Sequence, residues 1–219
     1  MSGADSATRR RILRCLALGA LAAATARGTR AAPLIPTPRQ TAGPFYPREL
    51  PLDRDNDLIV IGERGARAAG LVTHLRGRIL DRRGDPVRNA VVEIWQVDAN
   101  GVYLHPGSAH HDRRDANFQG FGRFETASSG EYYFRTIKPV PYPGRTPHIH
   151  FAVHLKGAPP FTTQCYVAGE PLNERDAVLN SIRDPEARRS VIVPFAPIRA
   201  SPSELAARFD IVLGFTPAA

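Results

Sequence analysis

Cysteine is scarce in this chain of 219 residues, which contains only Cys15 and Cys165. A disulfide framework is therefore excluded, and a chain of this length can bury a full hydrophobic core without one. Long apolar runs are also lacking. The uncharged stretch at residues 15–26 has twelve residues, whereas a membrane-spanning helix needs about 20. The sequence excludes a polytopic membrane protein, and we expect no stable membrane insertion.

Lysine is nearly absent, because 27 of the 29 basic residues are arginine and only Lys138 and Lys156 are lysine. The formal net charge is +8 and the isoelectric point is about 10.2. Such a balance can indicate nucleic-acid binding, but the arginines are scattered in ones and twos, without a basic stripe or an RNA-type aromatic motif. We therefore expect no nucleic-acid partner. The overall composition is that of an ordinary globular domain.

The start of the chain has the layout of an export signal. Three successive arginines at positions 9–11 precede the uncharged residues 15–26, which end in Ala-Thr-Ala. A basic head, a short apolar run and a small-x-small site are typical of a secretory signal peptide, and the arginine pair is similar to the twin-arginine signal. We predict a signal peptide over residues 1–32 and twin-arginine export to the periplasm or the extracellular space. A disordered basic tail is the alternative.

Short runs rich in β-branched and aromatic residues alternate with turn residues, and this pattern predicts an all-β sandwich or barrel with long loops. The predicted strands are residues 75–80, 90–97, 122–126, 132–136, 148–155, 162–167, 190–195 and 209–213. One short helix is predicted over residues 173–182, with Asn173 as its N-cap and Asp184-Pro185 closing it. The proline-rich residues 33–70 are predicted to form an extended N-terminal arm, and residues 71–219 the β-sandwich domain.

The most regular predicted strand covers residues 147–155, with the sequence Pro-His-Ile-His-Phe-Ala-Val-His-Leu. Since side chains two residues apart share a face, the apolar side chains point to the core and the histidines point away from it. The backbones of His148 and His150 are about 6.6 Å apart, which lets two imidazoles converge on one metal ion, whereas His154 is too distant. A His-x-His pair is an unspecific signal, and two surface histidines on a polar face are the alternative.

Other candidates lie in predicted turns. Tyr103 follows an Asn-Gly turn, and Tyr142 stands between two prolines, which restrict the backbone and orient a ligand well. With Arg145, the His148-x-His150 pair and Gln164, these residues occur in an order that resembles the intradiol ring-cleavage dioxygenases, the family of catechol, protocatechuate and hydroxyquinol enzymes. Further segments that carry the resemblance, in the same order, are residues 41–47, 75–80, 91–96 and 132–143.

The resemblance implies a transthyretin-like (prealbumin-like) β-sandwich that binds one mononuclear non-haem Fe(III). The iron ligands that it implies are Tyr103, Tyr142, His148 and His150. Tyr142 and His150 form the axial pair by this resemblance, and Tyr142 is the ligand released when substrate binds. Arg145 places a permanent positive charge over the substrate ring, and Gln164 helps to orient the pocket. Since the family usually associates through its N-terminal arm, we expect a homodimer.

The implied reaction inserts both atoms of O2 into a catechol-type ortho-diphenol. The ring is cut between its two hydroxylated carbons, which gives a cis,cis-muconate-type diacid. The chemistry of the donors favours ferric iron, because a phenol with an ordinary pKa of about 10 stays ionised at neutral pH only beside a hard, highly charged cation. Two phenolates and one hydroxide neutralise Fe(III), whereas Zn(II) would leave the same site anionic.

Two features depart from the family pattern. Five residues separate Tyr142 from His148, fewer than in many members, and Gly144 stands where protocatechuate enzymes usually have tryptophan. We therefore expect a more open pocket, and nothing marks a clamp for a substrate carboxylate. Two alternatives of other classes stay open: a non-catalytic exported transthyretin-like binding module, and a zinc or copper enzyme built on the His148-x-His150 pair.

Overall fold

The structure, a computed structural model, describes residues 34–62 and 65–217, which form two five-stranded β-sheets. The first sheet consists of β1 (Val72–Leu80), β4 (Glu131–Ile137), β8 (Ala196–Ile198), β9 (Ser201–Arg208) and β10 (Ile211–Val212). The second sheet consists of β2 (Val91–Trp95), β3 (Phe121–Glu125), β5 (His148–His154), β6 (Phe161–Val167) and β7 (Ile192–Val193). The predicted all-β class is confirmed.

The sheets share one hydrophobic core. Leu75 and Phe134 of the first sheet join Ile94 and Phe151 of the second in a single cluster, and all four side chains are fully buried. In the second sheet the strand order is β3-β2-β5-β6-β7, so β5 lies in the middle between β2 and β6. Its residues are therefore buried on both faces, apart from the half-buried His154 at its end.

Six of the eight predicted strands agree with β1 to β6 to within three residues at each end. The strand predicted at residues 190–195 is reduced to the two residues of β7, and β8 and β9 were not predicted. Strand β9 contains few apolar residues, and only Leu205 and Ala207 are buried. Its parallel pairing with β1, far away in sequence, leaves no local pattern from which it can be recognised.

The prediction of a single helix over residues 173–182 is wrong. The described residues contain two short α-helices, α1 (Ala177–Asn180) and α2 (Pro185–Ser190), and two single 3₁₀ turns (His111–Arg113 and Pro171–Glu174). The Asp176 side chain accepts two backbone N–H bonds from the first turn of α1, so this helix begins at Asp176 and not at Asn173. Asp184 caps α2 in the same way, so the Asp184-Pro185 pair begins a helix where it was expected to end one.

Residues 34–57, called the N-terminal segment below, cross from the first sheet to the second. The Thr37 N–H donates to the carbonyl of Val212 in β10, and the Gln40 N–H donates to the carbonyl of Thr162 in β6, each at 2.9 Å. The predicted signal peptide, residues 1–32, lies outside the described residues. Within residues 34–62 and 65–217, no helix has the length and apolar character to cross a bilayer.

Candidate active site

Strand β5 presents His148 and His150 on the face that points away from the shared core. Both side chains are buried, at 2% and 1% exposure. His150 lies opposite Trp95 of β2 and opposite Gln164 of β6, so three strands hold these residues in one row. The Trp95 indole stacks parallel to the His150 imidazole, with ring centroids 4.9 Å apart and an interplanar angle of 7°. The sheet register thus fixes the position of both imidazoles.

Tyr103 reaches the same region from the loop that follows β2. Asp98 Oδ1 accepts two backbone N–H bonds of this loop at 2.8 and 3.0 Å, and Gly101 supplies the positive φ of 77° that closes the turn. The backbone N–H of Tyr103 donates to Ser108 Oγ at 3.0 Å. The Tyr103 ring stacks on Phe45 of the N-terminal segment, with centroids 4.9 Å apart, so its phenol oxygen has a defined position.

Tyr142 and Arg145 project from one tight turn before β5. The Arg145 N–H donates to the Tyr142 carbonyl at 2.9 Å, and Gly144 within the turn has a φ of 79°. Arg145 Nη1 lies 3.4 Å from Tyr142 Oη. Tyr142 and Arg145 are half-buried, and Pro143 and Gly144 are exposed. The site is therefore accessible from solvent at this turn.

The donor atoms of the four implied ligands, Tyr103, Tyr142, His148 and His150, lie close together and are called the cluster here. Tyr103 Oη is 3.1 Å from His150 Nε2, 3.4 Å from His148 Nε2 and 3.5 Å from Tyr142 Oη. The two Nε2 atoms are 3.1 Å apart. Donors bound about 2.1 Å from one ion, at angles of about 90° to 115°, are about 3.0 to 3.5 Å apart. The spacing of the four donors therefore fits one metal ion.

The hydrogen bonds of the histidines also suit a cation. His148 Nδ1 lies 2.6 Å from the Thr146 carbonyl, so Nδ1 carries the proton and the Nε2 lone pair faces the cluster. Among the described residues His150 Nδ1 has no such partner, and the stack on Trp95 orients this ring instead. In the described part of the chain, no group of three His, Cys, Asp or Glu side chains is arranged around a metal position. The tyrosine oxygens complete the donor set.

Burial makes the protein's own charge in this cluster close to neutral. Desolvation, and next the positive charge of Arg145, lower the pKa of His148 to about 4. Desolvation and the neighbouring His148 hold the pKa of His150 well below its ordinary value. Burial, reinforced by Tyr142, raises the pKa of Tyr103 well above 10. At neutral pH both imidazoles are unprotonated, and ionisation of Tyr103 requires a nearby cation.

Arg145 is held in place by three side chains. Its Nε donates to Asp176 Oδ2 at 2.8 Å, its Nη2 donates to Gln164 Oε1 at 2.6 Å, and Nη1 faces Tyr142. Desolvation acts to lower the pKa of Arg145, but the hydrogen bond and the charge of Asp176 raise it above its ordinary value. Gln164 is fully buried, and its Nε2 donates to the Thr41 carbonyl at 3.0 Å. The guanidinium is therefore a fixed positive charge beside the donors.

The other histidines near the cluster do not join it. His154 bonds to the buried Glu93 at 2.7 Å. His105 is buried, and its Nδ1 accepts the N–H of Gly107 at 2.9 Å. His110 and His111 are exposed. His105 is therefore a buried residue of the loop that carries Tyr103, and His110 and His111 lie at the surface.

Two residues that the sequence analysis does not identify support this site. Asp176 holds Arg145; its sequence signal is that of a helix-capping aspartate, but the pattern favours Asn173 as the cap. Trp95 stacks on His150 and occurs in a segment that was already predicted as a strand. The sequence indicates that Trp95 shares a strand face with Glu93, two residues away, but it does not indicate that His150 is the cross-strand partner of Trp95.

Acid is expected to destabilise the metal-free protein through the buried imidazoles. The unfolded chain takes up a proton on His148 near pH 6.5, whereas the folded chain does so only near pH 4. The free energy of unfolding therefore falls as the pH decreases from 6.5 to 4, by about 3 kcal/mol from His148. Urea denaturation of the metal-free protein at several pH values measures this decline. The fall in the free energy of unfolding should be smaller by that amount in His148→Gln. It should be unchanged in His111→Gln, which alters an exposed histidine. Equal pH profiles for wild type and His148→Gln would contradict the prediction.

Comparisons with known proteins find relatives over most of the chain. Residues 41–214 match a family model described as Dioxygenase. The chain is 35% identical over 195 residues to the protocatechuate 3,4-dioxygenase beta chain of Burkholderia cepacia, an alignment that covers 83% of this chain and 82% of that one. It is 28% identical over 160 residues to the hydroxyquinol 1,2-dioxygenase of Rhodococcus opacus, over 65% of this chain and 50% of the relative.

A solved structure shows a similar fold. It is the dioxygenase domain of a dioxygenase carbohydrate-binding protein fusion from the cellulolytic bacterium Streptomyces sp. SirexAA-E. The two chains are 29% identical with a TM-score of 0.64, and the match covers 83% of this chain and 100% of that one. The chain thus spans the whole of this domain, most of the protocatechuate beta chain and half of the hydroxyquinol relative.

Proposed function

The chain belongs to the intradiol dioxygenase family, and from this membership we propose that it is a non-haem Fe(III) enzyme. Its reaction uses O2 to cleave a catechol-type ortho-diphenol between the two hydroxylated carbons, with a cis,cis-muconate-type diacid as the product. Both oxygen atoms enter the product, so no further reductant is required. The scaffold that we propose for it is a transthyretin-like β-sandwich.

One observation carries the proposal. Two phenol oxygens and two imidazole nitrogens, from three separate segments of the chain, lie within 3.5 Å of their neighbours in a largely buried cluster. Members of the family depend on non-haem Fe(III), and this donor set, which contains no carboxylate or thiolate, suits a hard trivalent cation. The residues that would hold the iron are Tyr103, Tyr142, His148 and His150. When bound, Fe(III) supplies the charge that keeps the phenolates and the substrate diolate ionised and that makes the ring reactive toward O2.

The protein's own contribution to the reaction lies first in proton transfer. A catechol would lose two protons on binding as a dianion; Tyr142 is suited to accept one of them, and the hydroxide that balances the charge of Fe(III) would accept the other. Its side chain is half-buried in the exposed turn, whereas Tyr103 is enclosed by Phe45 and the loop after β2. Arg145 Nη1 lies 3.4 Å from Tyr142 Oη, so a positive charge faces the oxygen that would take up the proton. Tyr103 would keep its enclosed position while Tyr142 is protonated.

The second contribution is electrostatic. Arg145 carries a permanent positive charge at the accessible side of the cluster, where negative charge develops on the substrate ring and on oxygen. Because Asp176 and Gln164 hold the guanidinium in advance, no reorganisation is needed during the reaction. The imidazoles of His148 and His150 and the indole of Trp95 are buried. Their burial suits a reaction in which water must not compete with O2 at the ring.

The substrate class is an ortho-diphenol with room for ring substituents. A Cβ placed at Gly144 would meet nothing within 4 Å, so the position that usually holds tryptophan in protocatechuate enzymes is open here. The named relatives act on protocatechuate and on hydroxyquinol, and both are ortho-diphenols. An open rim favours acceptance of several such rings over one.

Oxygen uptake tests the proposal directly. The full chain, loaded with iron, is mixed with catechol, protocatechuate and hydroxyquinol in turn, and the products are identified by mass spectrometry. We expect one O2 consumed for each ring cleaved and a diacid product, together with a red to brown colour from charge transfer between tyrosinate and Fe(III). Extradiol products, or no turnover of any ortho-diphenol by the coloured protein, would overturn the assignment. A protein that stays colourless with iron would instead support the binding module.

Two further expectations stay predictions. Twin-arginine export rests on residues 1–32, and the homodimer rests on the association that is usual in the family. Cell fractionation checks the export, by comparing the wild-type chain with a variant in which Arg9 and Arg10 are replaced by lysine. Sedimentation of the purified wild-type chain checks the dimer.

A further inference from the structure

We propose that Asp176 is a positioning residue, which sets the guanidinium of Arg145 at the cluster and couples its orientation to the docking of helix α1. The inference rests on the proposed function, because it assigns a role in the same reaction. Asp176 touches none of the four donors, so it acts on them through Arg145 and through the backbone of Thr146.

The Asp176 carboxylate divides its two oxygens between two tasks. Oδ1 accepts the backbone N–H groups of Val178 and Leu179, at 3.0 and 2.9 Å, and so caps α1. Oδ2 accepts Arg145 Nε at 2.8 Å and the backbone N–H of Thr146 at 3.0 Å. The side chain is fully buried. Four donors therefore fix this carboxylate, and it cannot rotate without losing some of them.

Oδ2 controls both the side chain and the backbone that lead into the cluster. It holds Arg145 by the Nε atom, so that Nη1 and Nη2 are left to face Tyr142 and Gln164. The adjacent Thr146 supplies the carbonyl that orients His148. Of the ion pairs among the described residues, the one between Asp176 and Arg145 is the only one at this cluster. The direction of the guanidinium fork thus depends on Asp176.

An asparagine cannot replace this carboxylate. With its amide oxygen on the helix cap, its NH2 group would face two donors, Arg145 Nε and the Thr146 N–H. With the amide reversed, the NH2 group would face the two N–H groups of α1. In either orientation two hydrogen bonds are lost, and Arg145 loses its anchor or α1 loses its cap.

The chain offers a matched control in Asp184. Its Oδ1 accepts the backbone N–H groups of Glu186 and Ala187 at 2.8 and 3.3 Å, so it caps α2 as Asp176 caps α1. Asp184 is exposed and pairs with no arginine in the described residues. Asp184→Asn therefore changes a helix cap in the same way, without touching Arg145.

The test compares Asp176→Asn, Asp184→Asn, Arg145→Gln and the double variant Asp176→Asn/Arg145→Gln, each as the iron-loaded full chain. We expect kcat of Asp176→Asn to fall about 10- to 100-fold, since a small misplacement of a preorganised group has this effect. Iron content and KM should change less than about threefold, because the iron ligands and the ring-binding surface are intact. Asp184→Asn should behave as wild type. In the Arg145→Gln background, Asp176→Asn should cost no more than about twofold further, because residues that act as a unit are not additive.

A readout without iron or turnover separates positioning from general damage. In the metal-free protein, nuclear magnetic resonance follows the Arg145 Nε–H, which is assigned by its loss in Arg145→Gln. This proton should exchange slowly with solvent in wild type and in Asp184→Asn, and rapidly in Asp176→Asn. Thermal unfolding confirms that each variant is folded at the temperature of measurement. Asp176→Ser is measured under the same criteria, because serine keeps one oxygen for the cap and has no second oxygen for Arg145 Nε. It also stands in for Asp176→Asn if that variant does not fold.

The outcomes distinguish the two claims. Equal kcat and equal exchange in Asp176→Ser and Asp184→Asn, with an active wild type, would overturn the positioning role alone. Full additivity of Asp176→Asn with Arg145→Gln would overturn it as well, because Asp176 would then act by another route. Inactivity of the wild type and of Asp184→Asn toward every ortho-diphenol would count against the proposed function, and the exchange measurement would still decide whether Asp176 positions Arg145.

Discussion

Tyr103→Phe is expected to abolish iron binding and ring cleavage together. Tyr103 Oη is the atom that lies within 3.5 Å of all three other donors, so its removal leaves two neutral imidazoles and one phenol for a trivalent ion. Loss of an outer-sphere partner of a metal costs about 10- to 100-fold, so loss of a ligand should cost at least the upper value. Iron analysis, visible absorption and oxygen uptake measure the effect, and the red to brown colour should disappear.

The fold should survive this change, because phenylalanine keeps the ring that stacks on Phe45. Tyr133→Phe is the matched control. Tyr133 lies on β4 of the first sheet, away from the cluster, and its phenol oxygen bonds to His74 of β1 at 2.7 Å. The Tyr133→Phe protein should keep iron, colour and activity. Unchanged metal content in both Tyr103→Phe and Tyr142→Phe would favour the alternative of a zinc or copper enzyme built on the two histidines.

Arg145→Gln is expected to reduce kcat by about 10²- to 10³-fold, the usual cost of removing one preorganised electrostatic group. Iron content should stay constant, because Arg145 is not among the four donors. The loss arises because the charge beside Tyr142 and the substrate is gone, while a neutral side chain remains in its place. Steady-state oxygen uptake, with iron content measured on the same samples, tests this. A change of less than about twofold in kcat would contradict the electrostatic role.

Two further variants sharpen the result for Arg145. Arg145→Lys keeps the charge but lacks the planar fork that contacts Asp176, Tyr142 and Gln164, so its kcat should lie between those of wild type and Arg145→Gln. Arg135→Gln is the control, since Arg135 forms a similar ion pair with Asp57 at 2.8 Å and its side chain is 19% exposed, against 16% for Arg145. It should cost stability without affecting kcat at a fixed temperature below unfolding.

The sequence was most informative where a local period carries the structure. The alternation in residues 147–155 predicts which side chains of β5 enter the core, and the structure has Ile149 there and the histidine pair on the other face. The tyrosines lie in loops, where no hydrophobic periodicity indicates the position of a side chain. Only the order of motifs points to Tyr103 and Tyr142, because the conformation of a loop depends on contacts such as that between Asp98 and its turn.

The sequence was least informative where distant segments meet. Asp176 lies 31 positions from Arg145, and a capping aspartate carries no local sign that its second oxygen holds an arginine. The short helices were mispredicted for a related reason. An Asp-Pro pair can follow the end of one helix or begin the next one, and tertiary packing decides between these roles. In this chain Asp184-Pro185 begins α2.

The path of the N-terminal segment implies an order of assembly. Its Thr37 pairs with Val212 across 175 positions, and its Gln40 reaches Tyr166 and Gln164 across more than 120. Residues that are synthesised early among those described therefore pair with residues that are synthesised much later. Contacts between such remote positions form late, since closing a long loop costs entropy before any contact is gained. The wall around Tyr103, His148 and His150 is consequently complete only after Gln164 and Asp176 have been synthesised, and any metal that binds there would bind after that point.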